Sequence, residues 1–156
     1  MKEIAFVEQD GKVRFLKRIK ARQSLLKVLN RLRCSSGGVT YIFCSDDSLL
    51  KINREYLNHD TLTDIITFDY TLPGSDFPGE NFQKSAKGKL KVVAGDIYIS
   101  IDRIKENAEM FHVKHIDELN RVMIHGLLHL AGYKDKTARE EKEIHAKEDE
   151  MLKTCF

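Results

Sequence analysis

The sequence predicts a mixed α+β fold, in which about four strands form one sheet and helices pack across it. Strand-like and helix-like segments alternate first, and helical segments finish the chain. The 156 residues are 42% hydrophobic and 32% charged, which is enough apolar material for one core and too little chain for two domains of ordinary size. We therefore expect a single domain over residues 1–156, because no repeat, linker or low-complexity tract divides the chain.

The N-terminal part of the chain is predicted to contain two or three strands and two helices. Apolar residues predict a strand over residues 4–7, and an Asp-Gly turn can return the chain as a hairpin over residues 13–15. Helical spacing of apolar residues predicts a helix over residues 17–32, which a Ser-Ser-Gly-Gly run then breaks. β-branched and aromatic residues predict a strand over residues 39–44, and a serine or aspartate N-cap starts a helix that ends at residue 57.

The C-terminal part is predicted to contain two strands and three helices. Residues 63–70 and 91–100 are rich in β-branched residues, which favours strands. The segment between them contains both prolines and shows no core pattern, so we expect a loop over residues 71–91. The helices are predicted over residues 102–111, 116–131 and 137–153.

Two histidines in the second of these helices carry the clearest chemical signal in the sequence. His125 and His129 are four residues apart within an apolar run, so a helix places both imidazoles on one face, about one turn apart. Gly132 can end the helix, and the chain can then fold back until Asp135 reaches the same point. Two imidazoles and a carboxylate are donors that zinc accepts. The sequence therefore predicts one zinc ion (Zn²⁺) per chain, held by His125, His129 and Asp135.

A simpler interpretation is a pair of core histidines without a metal. With six histidines in the chain, a pair four apart arises by chance often enough to make the motif weak by itself. Two imidazoles are nevertheless costly to bury without partners, and the acid after the glycine supplies a third donor. Three donors leave a fourth tetrahedral position open, which distinguishes a catalytic zinc from a structural one. His112 and His115 are rival third donors, and nickel or another divalent ion is a rival metal.

Several motifs resemble those of the YbeY family of bacterial metallo-endoribonucleases. Residues 125–133, His-Gly-Leu-Leu-His-Leu-Ala-Gly-Tyr, resemble the family signature HGxLHLxGYDH. Upstream, Asn53, Tyr56 and residues 63–68 resemble the family's LN, Y and TDVLSF segments, and residues 95–100 resemble its GDI-x-IS strand. The resemblance covers most of the chain from about Asn53 to Asp135, with the motifs in the same order.

The resemblance implies a zincin-like fold and a zinc-dependent endoribonuclease that is specific for single strands. It also implies a role in maturing the 3′ end of small-subunit (16S) rRNA and in ribosome quality control, with single-stranded RNA, rRNA and the small ribosomal subunit as partners. Two positions depart from the family pattern. Lys134 and Asp135 stand where the family usually has Asp-His, so the third donor is a carboxylate, and Leu57 stands where the family commonly has an arginine.

Candidate catalytic side chains beyond the metal donors are few. In zinc peptidases the residue after the first histidine is a glutamate that acts as a base, but here it is Gly126. Asp64 and Asp96 are candidates for proton transfer, with Asp64 preferred, although a carboxylate at position 64 also suits a turn or cap. Lys134 is a candidate for stabilising negative charge on a phosphate. The sequence leaves open whether activated water or the RNA's own 2′-hydroxyl attacks.

Positive charge is concentrated near the N-terminus, although the formal net charge is only +2. No acidic residue occurs over residues 11–45, and such a basic block suits a phosphate backbone. On the predicted helix, Lys20, Lys27 and Arg31 share one face and are candidate RNA contacts. A solvated helix face is the simpler interpretation of the same pattern.

Two other functional classes stay open. One is a metal-dependent hydrolase of another substrate, such as a peptide, and the other is a ribosome-associated RNA-binding protein with a structural metal. No apolar run approaches the length of about 20 residues that spans a bilayer, and the N-terminus lacks a signal-peptide pattern, so we expect a cytoplasmic protein. The three cysteines show no CxxC spacing, so we expect free thiols.

Overall fold

The structure, a computed structural model, describes residues 3–10, 17–71 and 90–156. The strands within these ranges are β1 (Ile4–Glu8), β2 (Cys34–Cys44), β3 (Ile65–Asp69) and β4 (Lys91–Ser100). The helices are α1 (Arg18–Arg31), α2 (Asp46–Leu57), α3 (Ile101–Met110), α4 (His115–Leu130) and α5 (Ala138–Cys155). The hairpin return predicted at residues 13–15, and most of the loop predicted at residues 71–91, lie outside the described residues.

The four strands form one mixed sheet in the order β1-β2-β4-β3. β1 runs parallel to β2, and β2 runs parallel to β4, whereas the edge strand β3 is antiparallel to β4. Parallel neighbours require a crossover connection, and α1 lies in the crossover between β1 and β2. The predicted α+β class with a four-stranded sheet is confirmed.

Strand β2 is longer than its local sequence suggests. It begins at Cys34, whereas the Ser-Ser-Gly-Gly run led us to predict a start at residue 39. That run pairs with the start of β4, and the register shifts between Ser36 and Val39, where a bulge accommodates the glycines. Backbone pairing with β4 therefore outweighs the weak strand preference of these residues.

The helix bounds, by contrast, follow local signals and agree with the predictions to within one or two residues. Ser45 caps α2 by accepting a hydrogen bond from the Ser48 N–H. Thr137 caps α5 in a capping box with Glu140. Because these caps use side chains three residues apart, the sequence alone is enough to place the starts of α2 and α5, whereas α1 and α4 begin without a side-chain cap.

Helix α4 lies close against the sheet because there is a glycine on each side of the contact, one on α4 and one on β4. A Cβ on Gly126 would lie 2.9 Å from the Ile97 Cγ2 on β4, and a Cβ on Gly95 of β4 would lie 2.8 Å from a leucine side chain of α4. The buried hydroxyl of Tyr41 on β2 donates a 2.7 Å hydrogen bond to the Met123 carbonyl on α4. The sheet thus fixes the position of the helix that carries the two histidines.

The three cysteines are buried and have free thiols, as expected. Among the helices of the described ranges, none has both the length and the apolar character needed to cross a bilayer.

Candidate metal centre

The imidazoles of His125 and His129 leave α4 on the same side. Their Nε2 atoms lie 2.9 Å apart. Apart from these two histidines, every position over residues 122–130 is buried, while the histidine side chains keep 19% and 27% of their surface exposed. The apolar core therefore holds α4 in a rotation that presents these two donors to solvent.

The turn after α4 brings the third donor to the same point. Gly132 has a φ of +108°, a conformation that residues with a Cβ rarely adopt. Its N–H donates to the His129 carbonyl, and the next N–H along the chain donates to the Leu128 carbonyl, which is the Schellman pattern. The chain reverses there, so the Asp135 Oδ2 lies 3.2 Å from the His129 Nε2 and 3.5 Å from the His125 Nε2.

The three donor atoms form a triangle with edges of 2.9, 3.2 and 3.5 Å. Tetrahedral zinc with donors at about 2.0–2.1 Å holds any two of them about 3.3 Å apart, so the triangle fits one face of such a tetrahedron. In the part of the chain that the structure describes, His125, His129 and Asp135 are the side chains whose ligand atoms lie close enough together to hold one metal ion. The rival donors His112 and His115 do not belong to this group.

Hydrogen bonds at the other ring nitrogens orient both imidazoles. The Nδ1 of His125 lies 2.5 Å from Glu148 Oε1, and the Nδ1 of His129 lies 3.1 Å from the Tyr133 carbonyl oxygen. A carboxylate and a carbonyl only accept, so each Nδ1 carries the proton. Each Nε2 then offers its lone pair to a metal, which is how histidine donors are usually fixed.

Glu148 on α5 is a supporting residue that we did not predict. Its side chain is 1% exposed, and it also accepts hydrogen bonds from Arg121 Nη1 and His145 Nδ1, both at 3.1 Å. Burial alone would raise the pKa of Glu148, but the hydrogen bonds from His125 and His145 outweigh it and the pKa is lowered. The same pairing raises the pKa of His125 against the opposing effect of burial. An ionised carboxylate thus lies behind one candidate metal donor.

A sequence signal for Glu148 does exist. The buried positions of α5 are Ile144, Glu148, Met151 and Cys155, which is one apolar stripe at helical spacing with a single glutamate in it. We interpreted the segment only as a charged helix. An acidic residue inside an apolar stripe needs a buried partner, and that requirement points to the histidine on the neighbouring helix.

Asp64 lies immediately before β3 and lines the space next to His125. Burial raises the pKa of Asp64, while the backbone amides of Asp64 and Ile65 and the nearby His125 oppose that rise. The Nδ2 of Asn107 lies 3.4 Å from its Oδ2. Asp64 therefore accepts hydrogen bonds from nearby backbone amides, as a turn or cap carboxylate does, and it also lies beside the candidate metal donors.

Asp96, the second candidate for proton transfer, lies outside the centre. Its neighbours on β4, Gly95 and Ile97, both face α4, and side chains alternate along a strand. Asp96 therefore points to the opposite side of the sheet, where its carboxylate accepts a 2.8 Å hydrogen bond from the Tyr70 hydroxyl.

A cleft of about 820 Å³ contains the three donors. Lys134 and Lys136 line it beside Asp135, and Leu57 lines it from the end of α2. The buried Asn53 supports that side, because its Nδ2 donates a 2.9 Å hydrogen bond to the Thr61 carbonyl. The cleft is therefore lined by β3, the end of α4 and the polar loops beside them, with two lysines next to the candidate carboxylate donor.

The basic face of α1 is separate from this cleft. Lys20, Lys27 and Arg31 are exposed, as predicted, and α1 contributes no residue to the lining of the cleft. Of the predicted site residues, the structure thus brings together His125, His129, Asp135, Asp64 and Lys134 and leaves the α1 residues apart.

The fold and the donors together define a class of protein. It is an α+β protein with a candidate metal centre of two histidines on one helix and an aspartate just after it. Comparison with known proteins makes the assignment specific.

The chain matches the family model described as endoribonuclease YbeY over residues 4–155. A protein of that name from Flavobacterium psychrophilum is 51% identical over 119 residues, covering 76% of this chain and 73% of the relative. Another, from Cytophaga hutchinsonii, is 44% identical over 154 residues, covering 97% and 96%. The chain therefore belongs to the endoribonuclease YbeY family, which confirms the resemblance seen in its motifs.

The fold has a counterpart among solved structures. The solution structure of TM1509 from Thermotoga maritima aligns with a TM-score of 0.62 at 23% identity, covering 96% of this chain and 87% of that one. At this level of identity the likeness concerns the fold alone, and it agrees with the α+β architecture described above.

Proposed function

We propose that this endoribonuclease is zinc-dependent and specific for single-stranded RNA, and that it acts in the cytoplasm on the small ribosomal subunit. Its task there would be to mature the 3′ end of 16S rRNA and to take part in ribosome quality control. Relatives named endoribonuclease YbeY support the reaction class. The observation that carries the zinc assignment is the triangle of donor atoms from His125, His129 and Asp135, which lies in an open cleft. The ribosomal role rests on family membership.

The residues of the cleft suit a phosphodiester substrate. A zinc ion held by the three donors would activate water as a nucleophile and polarise a phosphoryl oxygen. Asp135 contributes one negative charge to the donor set, whereas Lys134 and Lys136 contribute positive charge at the same wall of the cleft. We assign Lys134 to binding the phosphate, because an ammonium group beside the donors stabilises negative charge that develops there.

Asp64 is the side chain that we propose for proton transfer. It lies in the lining of the cleft next to His125. Burial raises its pKa, which brings the carboxyl group closer to the pH at which it can both accept and release a proton.

A peptidase is the main competing function, and the packing of α4 opposes it. Gly126 occupies the position of the peptidase glutamate, and a Cβ there would lie 2.9 Å from Ile97 Cγ2 and 3.2 Å from Ile65 Cδ1. A glutamate would have to displace α4 from the sheet. The other competing function is an RNA-binding protein with a structural metal. Such a protein would bind RNA without cutting it, which distinguishes it from the proposed nuclease.

Zinc-loaded protein is expected to contain about one ion per chain and to cut a labelled single-stranded RNA while leaving casein intact. A chelator should abolish cleavage, and added zinc should restore it. Elemental analysis and gel electrophoresis measure the two effects. Cleavage of casein alone would favour a peptidase, and ribosome binding without any cleavage would favour the binding protein. A 2′,3′-cyclic phosphate on the product would identify attack by the RNA's own 2′-hydroxyl.

The α1 face of Lys20, Lys27 and Arg31 is expected to add affinity by neutralising phosphates of the RNA. Replacing all three by alanine should weaken binding to single-stranded RNA and reduce the slope of log K against log salt by about 0.7 for each phosphate that is no longer neutralised. The matched control replaces three exposed lysines on other helices, Lys51, Lys105 and Lys142. A salt slope that stays the same in the α1 variant would leave this face as ordinary solvated surface.

A further inference from the structure

A second cavity lies beside the metal centre, on the side of His125 that faces Glu148. It measures about 660 Å³, within the range of about 300–1,000 Å³ that is typical of small-molecule sites. Asp64, Ile65 and His125 line both this cavity and the cleft. A group held in the cavity would therefore neighbour a phosphate held at the metal donors.

The cavity has an apolar body and an aromatic ring on its wall. Ile65, Val122 and Leu152 contribute apolar wall, and Phe111 and Val113 line it where α3 ends and α4 begins. The Phe111 side chain remains 58% exposed and Val113 44% exposed, so neither is fully used in the core. An exposed aromatic ring at a nuclease site offers a surface on which an unpaired base can stack.

Glu118 is a buried polar residue in the lining of this cavity. It is only 6% exposed and lines the cavity, yet no hydrogen bond or ion pair from the described residues reaches its carboxylate. Glu148, in the same lining, accepts hydrogen bonds from three side chains. Burial and the nearby Asp64 raise the pKa of Glu118, and the charge of Arg121 opposes that rise without cancelling it. No buried side-chain oxygen of the described residues lacks a hydrogen-bond partner, so the Glu118 oxygens must reach the open space of the cavity, where they can accept hydrogen bonds from a ligand's N–H groups.

The charge of the cavity also selects among the parts of a nucleotide. Four carboxylates line it, those of Asp64, Asp117, Glu118 and Glu148. The basic side chains of the lining, Arg121, His125 and His145, already pair with Glu148, so the remaining charge disfavours a phosphate. The Watson–Crick edge of a base, in contrast, carries N–H donors that a carboxylate can accept. Such an edge is free only when the base is unpaired.

We propose that this cavity is a nucleobase pocket, in which Phe111 stacks on a base flanking the scissile phosphate and Glu118 accepts its N–H donors. The proposal rests on the ribonuclease function proposed above. Guanine fits best because it presents two N–H donors side by side, which match the two oxygens of one carboxylate. Adenine and cytosine offer one amino group, and uracil offers one N–H between two carbonyl oxygens, which a carboxylate repels.

Binding and cleavage of short labelled oligouridines test the pocket, with one central uridine replaced by guanosine in a second oligonucleotide. The full chain is measured without metal for affinity and with zinc for cleavage. The guanosine is expected to tighten binding and to raise kcat/KM by about tenfold or more. Glu118→Gln should reduce the ratio of kcat/KM between the guanosine and the all-uridine oligonucleotide to about twofold or less. Phe111→Ala should weaken binding of the guanosine oligonucleotide by about tenfold.

Glu109→Gln is the matched control, because Glu109 is exposed near the end of α3 and does not line the cavity. It should keep the preference for guanosine, and thermal unfolding should show that all variants are folded. Equal affinity for both oligonucleotides, or a preference that survives Glu118→Gln, would overturn the pocket. If guanosine binding depends on Glu118 but zinc-loaded protein cuts no RNA, the pocket stands and the nuclease proposal fails. If the zinc-loaded protein cuts RNA without any dependence on the base, the nuclease proposal stands and the pocket fails.

Discussion

His129→Ala is expected to remove zinc and RNA cleavage together while leaving the protein folded. The remaining donors, His125 and Asp135, are too few for a site that needs three protein ligands. Loss of a residue that only supports a metal donor costs about 10–100-fold in affinity or activity, so we expect the loss of a donor itself to exceed about 100-fold. The side chain of His129 is 27% exposed, and the variant loses its 3.1 Å hydrogen bond to the Tyr133 carbonyl. Such a bond is worth about 1 kcal/mol, which leaves the fold intact.

Elemental analysis, cleavage of labelled RNA and thermal unfolding together measure this result. His115→Ala is the control, because His115 is an exposed histidine on the same helix and lies outside the donor group. It should keep about one zinc per chain and full activity. If the His129 variant retained its zinc, the assignment of the centre to these donors would be wrong.

The three candidate metal donors could be brought together from the sequence because their arrangement is local. His125 and His129 depend only on the period of one helix, and Asp135 depends only on the turn that follows it. The Gly132 conformation that makes this turn is a property of the residue type itself. The spacing of the three residues thus follows from one helix end and its C-cap, whereas the orientation of the His125 ring also depends on Glu148 of α5.

The features that could not be predicted depend on residues distant in the chain. The extension of β2 to Cys34 comes from pairing with β4, more than fifty residues later in the chain. The same is true of the sheet order, since no local pattern specifies that β4 lies between β2 and β3. The apolar stripe of α5 indicates that Glu148 is buried, but only tertiary packing shows that its partner is His125. Glu118 appears as one of two acids in the first turn of α4 until packing shows that it is buried.

Glu148 therefore provides the second large test, because its role follows only from the packing of α5 against α4. Its carboxylate holds the proton of His125 on Nδ1 and so keeps Nε2 available to the metal. Glu148→Gln is expected to weaken zinc binding by about 10–100-fold, since an amide neither carries the charge nor accepts three hydrogen bonds. Glu148→Ala should in addition destabilise the metal-free protein by about 1.5–3 kcal/mol, because it removes hydrogen bonds to a charged group, while Arg121 keeps its ion pair with Asp149.

Competition with a chelator measures zinc affinity in these variants, and urea unfolding of the metal-free protein measures stability. Asp149→Asn is the matched control: Asp149 follows Glu148 directly and also accepts a hydrogen bond from Arg121, at 2.6 Å, but its side chain is 67% exposed. An exposed ion pair contributes about 0–1 kcal/mol, so this control should change neither measurement appreciably. If Glu148→Gln bound zinc as tightly as the control, the orientation of His125 would not depend on α5. The turn after α4 and the core beneath it would then be sufficient to form the centre.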